Sequence, residues 1–180
     1  MKYTYSHATI SDCGLWRYTL ERRWDEAGPV LGFLMLNPST ADAVADDSTI
    51  RRCVSQARYL GFSGIFVANV FAYRASDPSI LQKCHDPVGH WNSDAIRTLV
   101  YGCERIICAY GNAPLSDQRS GGLLYGTMRA TEGYLREKNV MPWALQINKT
   151  GLPAHPVRLR AGLTPVGYLW NSGNEWEPLQ

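Results

Sequence analysis

Three apolar runs separated by stretches of helical period constrain most strongly what this chain can fold into. Residues 30–36 (Val-Leu-Gly-Phe-Leu-Met-Leu), 64–70 and 105–110 are apolar but for Asn69 near the end of the second and Arg105 at the start of the third. A half-buried strand alternates; a short run that does not alternate suits a strand covered on both faces, as in the middle of a parallel sheet. After the first run, Ile50, Cys53, Val54, Ala57 and Leu60 recur at helical spacing, with Asp47 or Ser48 placed to cap the helix and Gly61 to stop it. A second helix is expected from Asn92 or Ser93 through Ala95, Ile96, Leu99 and Val100, and a third over residues 119–138. A fourth strand over residues 140–147 is made irregular by Pro142.

Ahead of these elements, Tyr3, Tyr5 and residues 15–20 have the aromatic and β-branched bias of strands, and Ser11-Asp12-Cys13-Gly14 supplies a turn. Residues 71–91 read as loop and 165–170 as a short extended stretch. The expected fold is one domain over residues 1–180, a three-layer α/β/α arrangement. Its central sheet is mostly parallel and four-stranded, with an N-terminal antiparallel β-hairpin.

Composition narrows the function classes. A hydrophobic content of 45% with 19% charged residues describes a chain that folds. No apolar run approaches the roughly 20 residues that span a bilayer, so no membrane partner is expected. The first residues lack the apolar stretch of a signal peptide, and the expected location is the cytoplasm. Five cysteines, without a Cys-x-x-Cys pair, give no disulfide framework and no metal spacing, so no metal and no cofactor are expected. A net charge of +2 does not by itself argue for nucleic acid.

Chemistry-bearing residues cluster after the apolar runs, where open α/β sheets bind their ligands. Asn37, between a strand and Pro38, has an amide able to orient a water, although Asn-Pro also simply starts turns. Asn69 has the donor–acceptor pair that reads a nucleobase edge, or else pins the loop behind it. His155, in Ala154-His155-Pro156, can donate to an oxygen on which charge develops, or serve as a loop histidine bonded to backbone. Phe71, Tyr73 and Tyr110 follow strands, where a ring stacks on a base or joins the core. Ser39, Thr40, Arg74, Arg158 and Arg160 are candidate phosphate contacts, since hydroxyls and guanidinium forks match phosphate oxygens. Asp42, Asp46 and Asp47 offer in principle a general base or a magnesium site, or else cap the next helix and solvate the loop.

In order and spacing these motifs resemble the uracil-DNA glycosylase superfamily. Leu36-Asn37-Pro38 is similar to the motif that positions the attacking water, Val67-Ala68-Asn69-Val70 to the strand whose asparagine reads the base, and Ala154-His155-Pro156 to the late His-Pro motif. Ile107-Cys108-Ala109-Tyr110-Gly111-Asn112 looks like the third strand, and the likeness spans residues 32–160. The resemblance implies hydrolysis of the N-glycosidic bond of a flipped, uracil-like or modified base in DNA. Asn37 and His155 would be catalytic; Asn69, Phe71, Tyr73 and Tyr110 would bind the base.

Two departures stand out. Leu36 replaces a glycine, which is expected to narrow the approach to the base, and the last motif lacks the serines that grip phosphate. The 37–47 loop and Ala72-Tyr73-Arg74-Ala75-Ser76-Asp77-Pro78 look instead like an uncharacterised bacterial and phage domain family. Two further readings stay open: an enzyme of free or phage-modified nucleotides, and a non-catalytic nucleic-acid or protein-binding module that keeps the fold.

Overall fold

In the computed structural model, which describes residues 2–111, 123–170 and 176–178, the apolar runs form the centre of a wide mixed sheet. Strand β3 (Val30–Met35) lies between β4 (Gly64–Asn69) and β5 (Arg105–Ala109), parallel to both, and β6 (Pro142–Ala144) continues the parallel set beyond β5. Every residue of β4 is buried, as a strand without alternation requires.

The helices divide between the two faces. On one, α1 (Ser48–Tyr59) packs Ile50, Cys53, Val54 and Ala57 onto Leu31, Phe33, Ile65, Val67 and Ile107. On the other, Ile96, Leu99 and Val100 of α2 (Asn92–Gly102) and Leu135 of α3 (Leu123–Glu137) cover Leu34, Phe66, Ala68, Ile106 and Cys108. Full burial of a side chain such as Ile50 or Val54 contributes about 2 kcal/mol, so α1 is held chiefly by this apolar stripe. Asp47 caps it, its carboxylate accepting from Ile50 N at 2.8 Å. The start of the helix expected over 119–138 lies outside the described residues.

The sheet corrects the expected architecture. It is not a four-stranded, mostly parallel sheet with a hairpin beside it. The hairpin of β1 (Tyr5–Ile10) and β2 (Arg17–Arg23) is part of the sheet, because β2 pairs antiparallel with β4 from Leu20↔Val67 to Arg23↔Gly64. At the far side β7 (Val166–Trp170) pairs antiparallel with β6, and the short β8 (Trp176–Pro178) with β7. The order is β1-β2-β4-β3-β5-β6-β7-β8. A buried strand has backbone groups to satisfy along both edges; β4 meets β3 on one side, and β2 supplies the other.

Smaller differences have local causes. The strand expected over 140–147 shortens to three residues, with Pro142 at its first position, where a missing N–H is tolerated. Asn92 does not cap α2. Its amide turns inward, and Nδ2 donates to Asn69 O at 3.0 Å and Val70 O at 2.8 Å. No helix among the described residues is long and apolar enough to cross a membrane.

Candidate functional site

Chain order and sheet order together create a switch point. The connection from β3 through α1 leads to β4 on one side, whereas β5 lies on the other side of β3. Connections leaving β3 and β5 therefore run to opposite faces, since α1 covers one and α3 the other. Open α/β sheets bind ligands in the crevice at the carboxyl ends of such strands. Asn37, Asn69, Tyr110 and Gly111 all sit there.

Asn69 has the least ordinary environment of any residue at this edge. It is fully buried, and among the described residues neither Oδ1 nor Nδ2 of its side chain has a hydrogen-bond partner. Buried amides are nearly always paired, and an unpaired group costs about 1–3 kcal/mol. The neighbours Phe66, Ala68 and Val70 pack under α2, and Ile65 and Val67 under α1. Strand alternation therefore aims the Asn69 carboxamide at the α1 face. Met35 pairs with Asn69 on one side and with Ala109 on the other.

His155 joins this face from the late loop. Its neighbours Ala154 and Leu159 pack in the α1 cluster, and its Cβ lies 3.1 Å from where a side chain on Gly111 would begin. Gly111, just past β5, has φ +74° and donates to Pro153 O at 2.8 Å, a geometry suited to glycine. Nδ1 of His155 accepts from Val157 N at 3.4 Å, which leaves the ring proton on Nε2. Burial pushes the imidazole below its ordinary pKa, opposed by Asp47 and aided by Arg158. The ring is thus a neutral donor at neutral pH. With strands about 4.8 Å apart, β4 and β5 are separated by about 10 Å, with β3 and the buried Met35 between them.

The amide nitrogen of Asn37 is already engaged. Nδ2 donates to Ala75 O at 2.7 Å and to Pro38 O at 3.1 Å, and Ala75 N returns a bond to Pro38 O. That ties the loop after β3 to the segment after β4 and leaves the oxygen for a ligand or water. An aspartate here would face two carbonyl oxygens, so the geometry favours asparagine over its acid. Ser39 Oγ lies 3.2 Å from Ser76 Oγ on the same seam, and Thr40 beside it is exposed.

Other expected contacts fall elsewhere. Phe71 and Tyr110 are buried in the cluster beneath α2 and α3, on the face opposite the Asn69 carboxamide, and packing accounts for both rings. Tyr73 is half-buried, edge-on to Trp16. Leu36 also packs in the α2 cluster, so it does not narrow the approach on the α1 face as its sequence position implied. Arg158 and Arg160 are exposed beyond His155. The acids of the 37–47 loop are structural: Asp42 accepts from Val44 N and Ala45 N, both at 2.8 Å, and these bonds hold its carboxyl below the usual range. Asp46 pairs with Arg22 at 2.9 Å. A surface groove of about 510 Å³, lined in part by Tyr18, Trp91 and Asp94, contains none of the residues selected from sequence.

Sequence reading missed two buried arginines of β2, Arg17 and Arg22, which are 2% and 0% exposed. Arg22 is fully engaged, with Nε on Asp46 and the remaining nitrogens on carbonyls including Glu21 O and Asp42 O. Arg17 donates from Nη1 to Ala41 O at 2.8 Å and has no carboxylate at ion-pair distance among the described residues. The signal was available for Arg22, which shares the alternation of the buried Leu20.

These elements define an open α/β protein with a polar site at its topological switch point. Residues 17–157 match the family model described as protein of unknown function (DUF1643), and the chain belongs to that family. No curated protein and no solved structure matches it.

Proposed function

We propose that the switch point binds a nucleobase and that the protein hydrolyses the N-glycosidic bond attached to it. The observation that carries this reading is the Asn69 carboxamide, buried with donor and acceptor both unpartnered. Such a pair is complementary to a base edge that offers a carbonyl beside an N–H, and the ligand removes the cost of leaving the amide unpaired. The motif resemblance to the uracil-DNA glycosylase superfamily points the same way.

In the proposed reaction, water attacks C1′ of the sugar as the C1′–N bond breaks. The bonding electrons move onto the base and spread to its carbonyl oxygen. His155 Nε2–H meets that oxygen as charge develops, a role for which a neutral donor is apt because it does not protonate the base outright. The Asn37 oxygen holds the water, and the water's proton ends on the departing base.

The test is base release, followed by mass spectrometry, from single- and double-stranded DNA and free nucleosides carrying uracil, hypoxanthine and 5-hydroxymethyl bases. Release that is lost in Asn69→Ala and His155→Ala supports the assignment, and undiminished release in either variant refutes it. The net charge of +2 favours a second reading, a free nucleotide as substrate. Release from nucleotides with little salt dependence selects that reading over DNA. Binding without release in any substrate selects a non-catalytic module.

A further inference from the structure

We infer that Arg17 and Arg74 together form a site for a phosphate group, the one carried by the nucleotide whose base enters beside Asn69. This rests on the nucleobase reading above and adds to it a recognised group and a residue, Arg17, that no motif supplied.

The two side chains are anchored alike. Arg17 donates from Nη1 to Ala41 O at 2.8 Å, and Arg74 from Nη1 to Gly14 O at 3.2 Å. Each has its Nε buried without a hydrogen-bond partner. Among the described residues neither Nη2 has a protein partner, and neither is among the atoms sealed from solvent. Nε and Nη2 make up the side of a guanidinium that grips an oxyanion with two parallel bonds. Both arginines thus use one nitrogen for support and leave Nη2 open, with an unpaired Nε sealed behind it.

Arg22, on the same strand, provides the internal comparison. Equally buried, it has its Nε on the Asp46 carboxylate at 2.9 Å, as a buried arginine ordinarily requires. No carboxylate reaches ion-pair distance of Arg17 or Arg74 among the described residues. Asp47 and Asp42 contribute favourable charge at Arg17, but the Asp47 carboxylate caps α1 and that of Asp42 closes its own turn. Burial, with the neighbouring positive charge of Arg74, pushes the Arg17 pKa down to about 10. Two neighbouring guanidiniums without a carboxylate at ion-pair distance among the described residues suit an anion, and a phosphate carries enough oxygens to meet both.

Position links this site to the base pocket. Arg17 N bonds Ala72 O, three residues after Asn69, and its guanidinium holds the loop after β3 through Ala41. Arg74 precedes Ala75, whose carbonyl accepts from Asn37. Ser39 and Ser76 add hydroxyl donors on the same seam. A guanidinium–phosphate contact of this kind is worth about 10- to 100-fold in affinity.

The experiment is calorimetric titration of the full chain with inorganic phosphate, deoxyuridine, deoxyuridine 5′-monophosphate and a uracil-containing single-stranded oligonucleotide. Wild type, Arg74→Gln, Arg74→Lys, Arg17→Gln and Asn69→Ala are compared. Monophosphate is expected to bind at least tenfold tighter than nucleoside, with Arg74→Gln abolishing the difference, Arg74→Lys restoring little of it, and nucleoside affinity unchanged in both. Arg74-dependent gain confined to the oligonucleotide assigns the site to a backbone diester; gain with the monophosphate assigns it to a free nucleotide. Phosphate binding that needs Arg74, with no nucleoside binding that needs Asn69, upholds the anion site and sinks the base reading. A phosphate preference that survives both Arg74→Gln and Arg17→Gln, or no phosphate binding to wild type, overturns the proposal. Arg74 is only partly buried, so its variants keep the test decisive if Arg17→Gln does not fold.

Discussion

Replacing Asn69 by leucine separates a binding amide from a structural one, because the two roles predict opposite signs for stability. Both polar groups of the side chain are buried and unpaired. Each costs about 1–3 kcal/mol, so removing them gains roughly 2–6 kcal/mol. Fitting a side chain of different shape beside Met35 takes back about 1–3 kcal/mol. The net expectation is a stabilisation of about 2 kcal/mol, which for a chain of about 180 residues raises Tm by about 4–8 °C. The backbone carbonyl of Asn69 keeps its bond from Asn92 Nδ2 in the variant, so the adjoining support is unchanged. Thermal melts and urea titrations of wild type and Asn69→Leu measure the sign, with nucleoside binding followed in parallel. Higher Tm with lost binding is the expected result. A loss of 2 kcal/mol or more, with binding intact, refutes the reasoning and makes Asn69 a loop-pinning residue.

Asn37→Asp is expected to lower Tm by about 4–8 °C, because two donated bonds are replaced by a carboxylate facing Ala75 O and Pro38 O; a melt at neutral pH checks it. Gly111→Ala forces a left-handed conformation costing about 1–2 kcal/mol and sets a methyl against His155 Cβ. Base release is expected to fall more than nucleoside binding. His155, with a pKa below 6.5 in the folded chain, binds fewer protons there than when unfolded. Its contribution to stability is therefore complete above pH 6.5 and declines as pH falls below that value. His155→Gln should flatten this limb of the stability profile, and in wild type base release should be lost on the acid side as the neutral donor becomes a cation.

How much was legible follows from the range of the interactions. Residues 30–36, 64–70 and 105–110 announced buried strands because a run without polar alternation has no solvent face to offer. Asp47 and the 50, 53, 54, 57 spacing located α1 by local rules alone. Asn37, Asn69 and His155 stood out as polar groups at strand ends, and the fold gathers all three on the carboxyl edge of the sheet. Arg17 did not stand out, because alternation with Tyr18 and Leu20 assigns it to the outer face. The β1–β2 ladder shifts register there: Thr9 faces Thr19, whereas Ile10 faces Arg17, so Tyr18 is an extra residue of β2. A bulge re-aims every side chain beyond it, and nothing local marks where it falls.

The amino-acid order by itself determined which segments are strands and helices and which polar residues interrupt them, since period and capping act within a few residues. Only the tertiary structure decided that β2 lies against β4, that β5 crosses to the far side of β3, and that Phe71, Tyr110 and Leu36 face away from Asn69. Those outcomes depend on which backbone edges and faces remain unsatisfied once the other strands are in place, a competition between segments far apart in the chain. The environment of Asn69 is the clearest case. Its identity and position at a strand end were plain in the sequence, but that its amide is left without a partner is a property of everything packed around it.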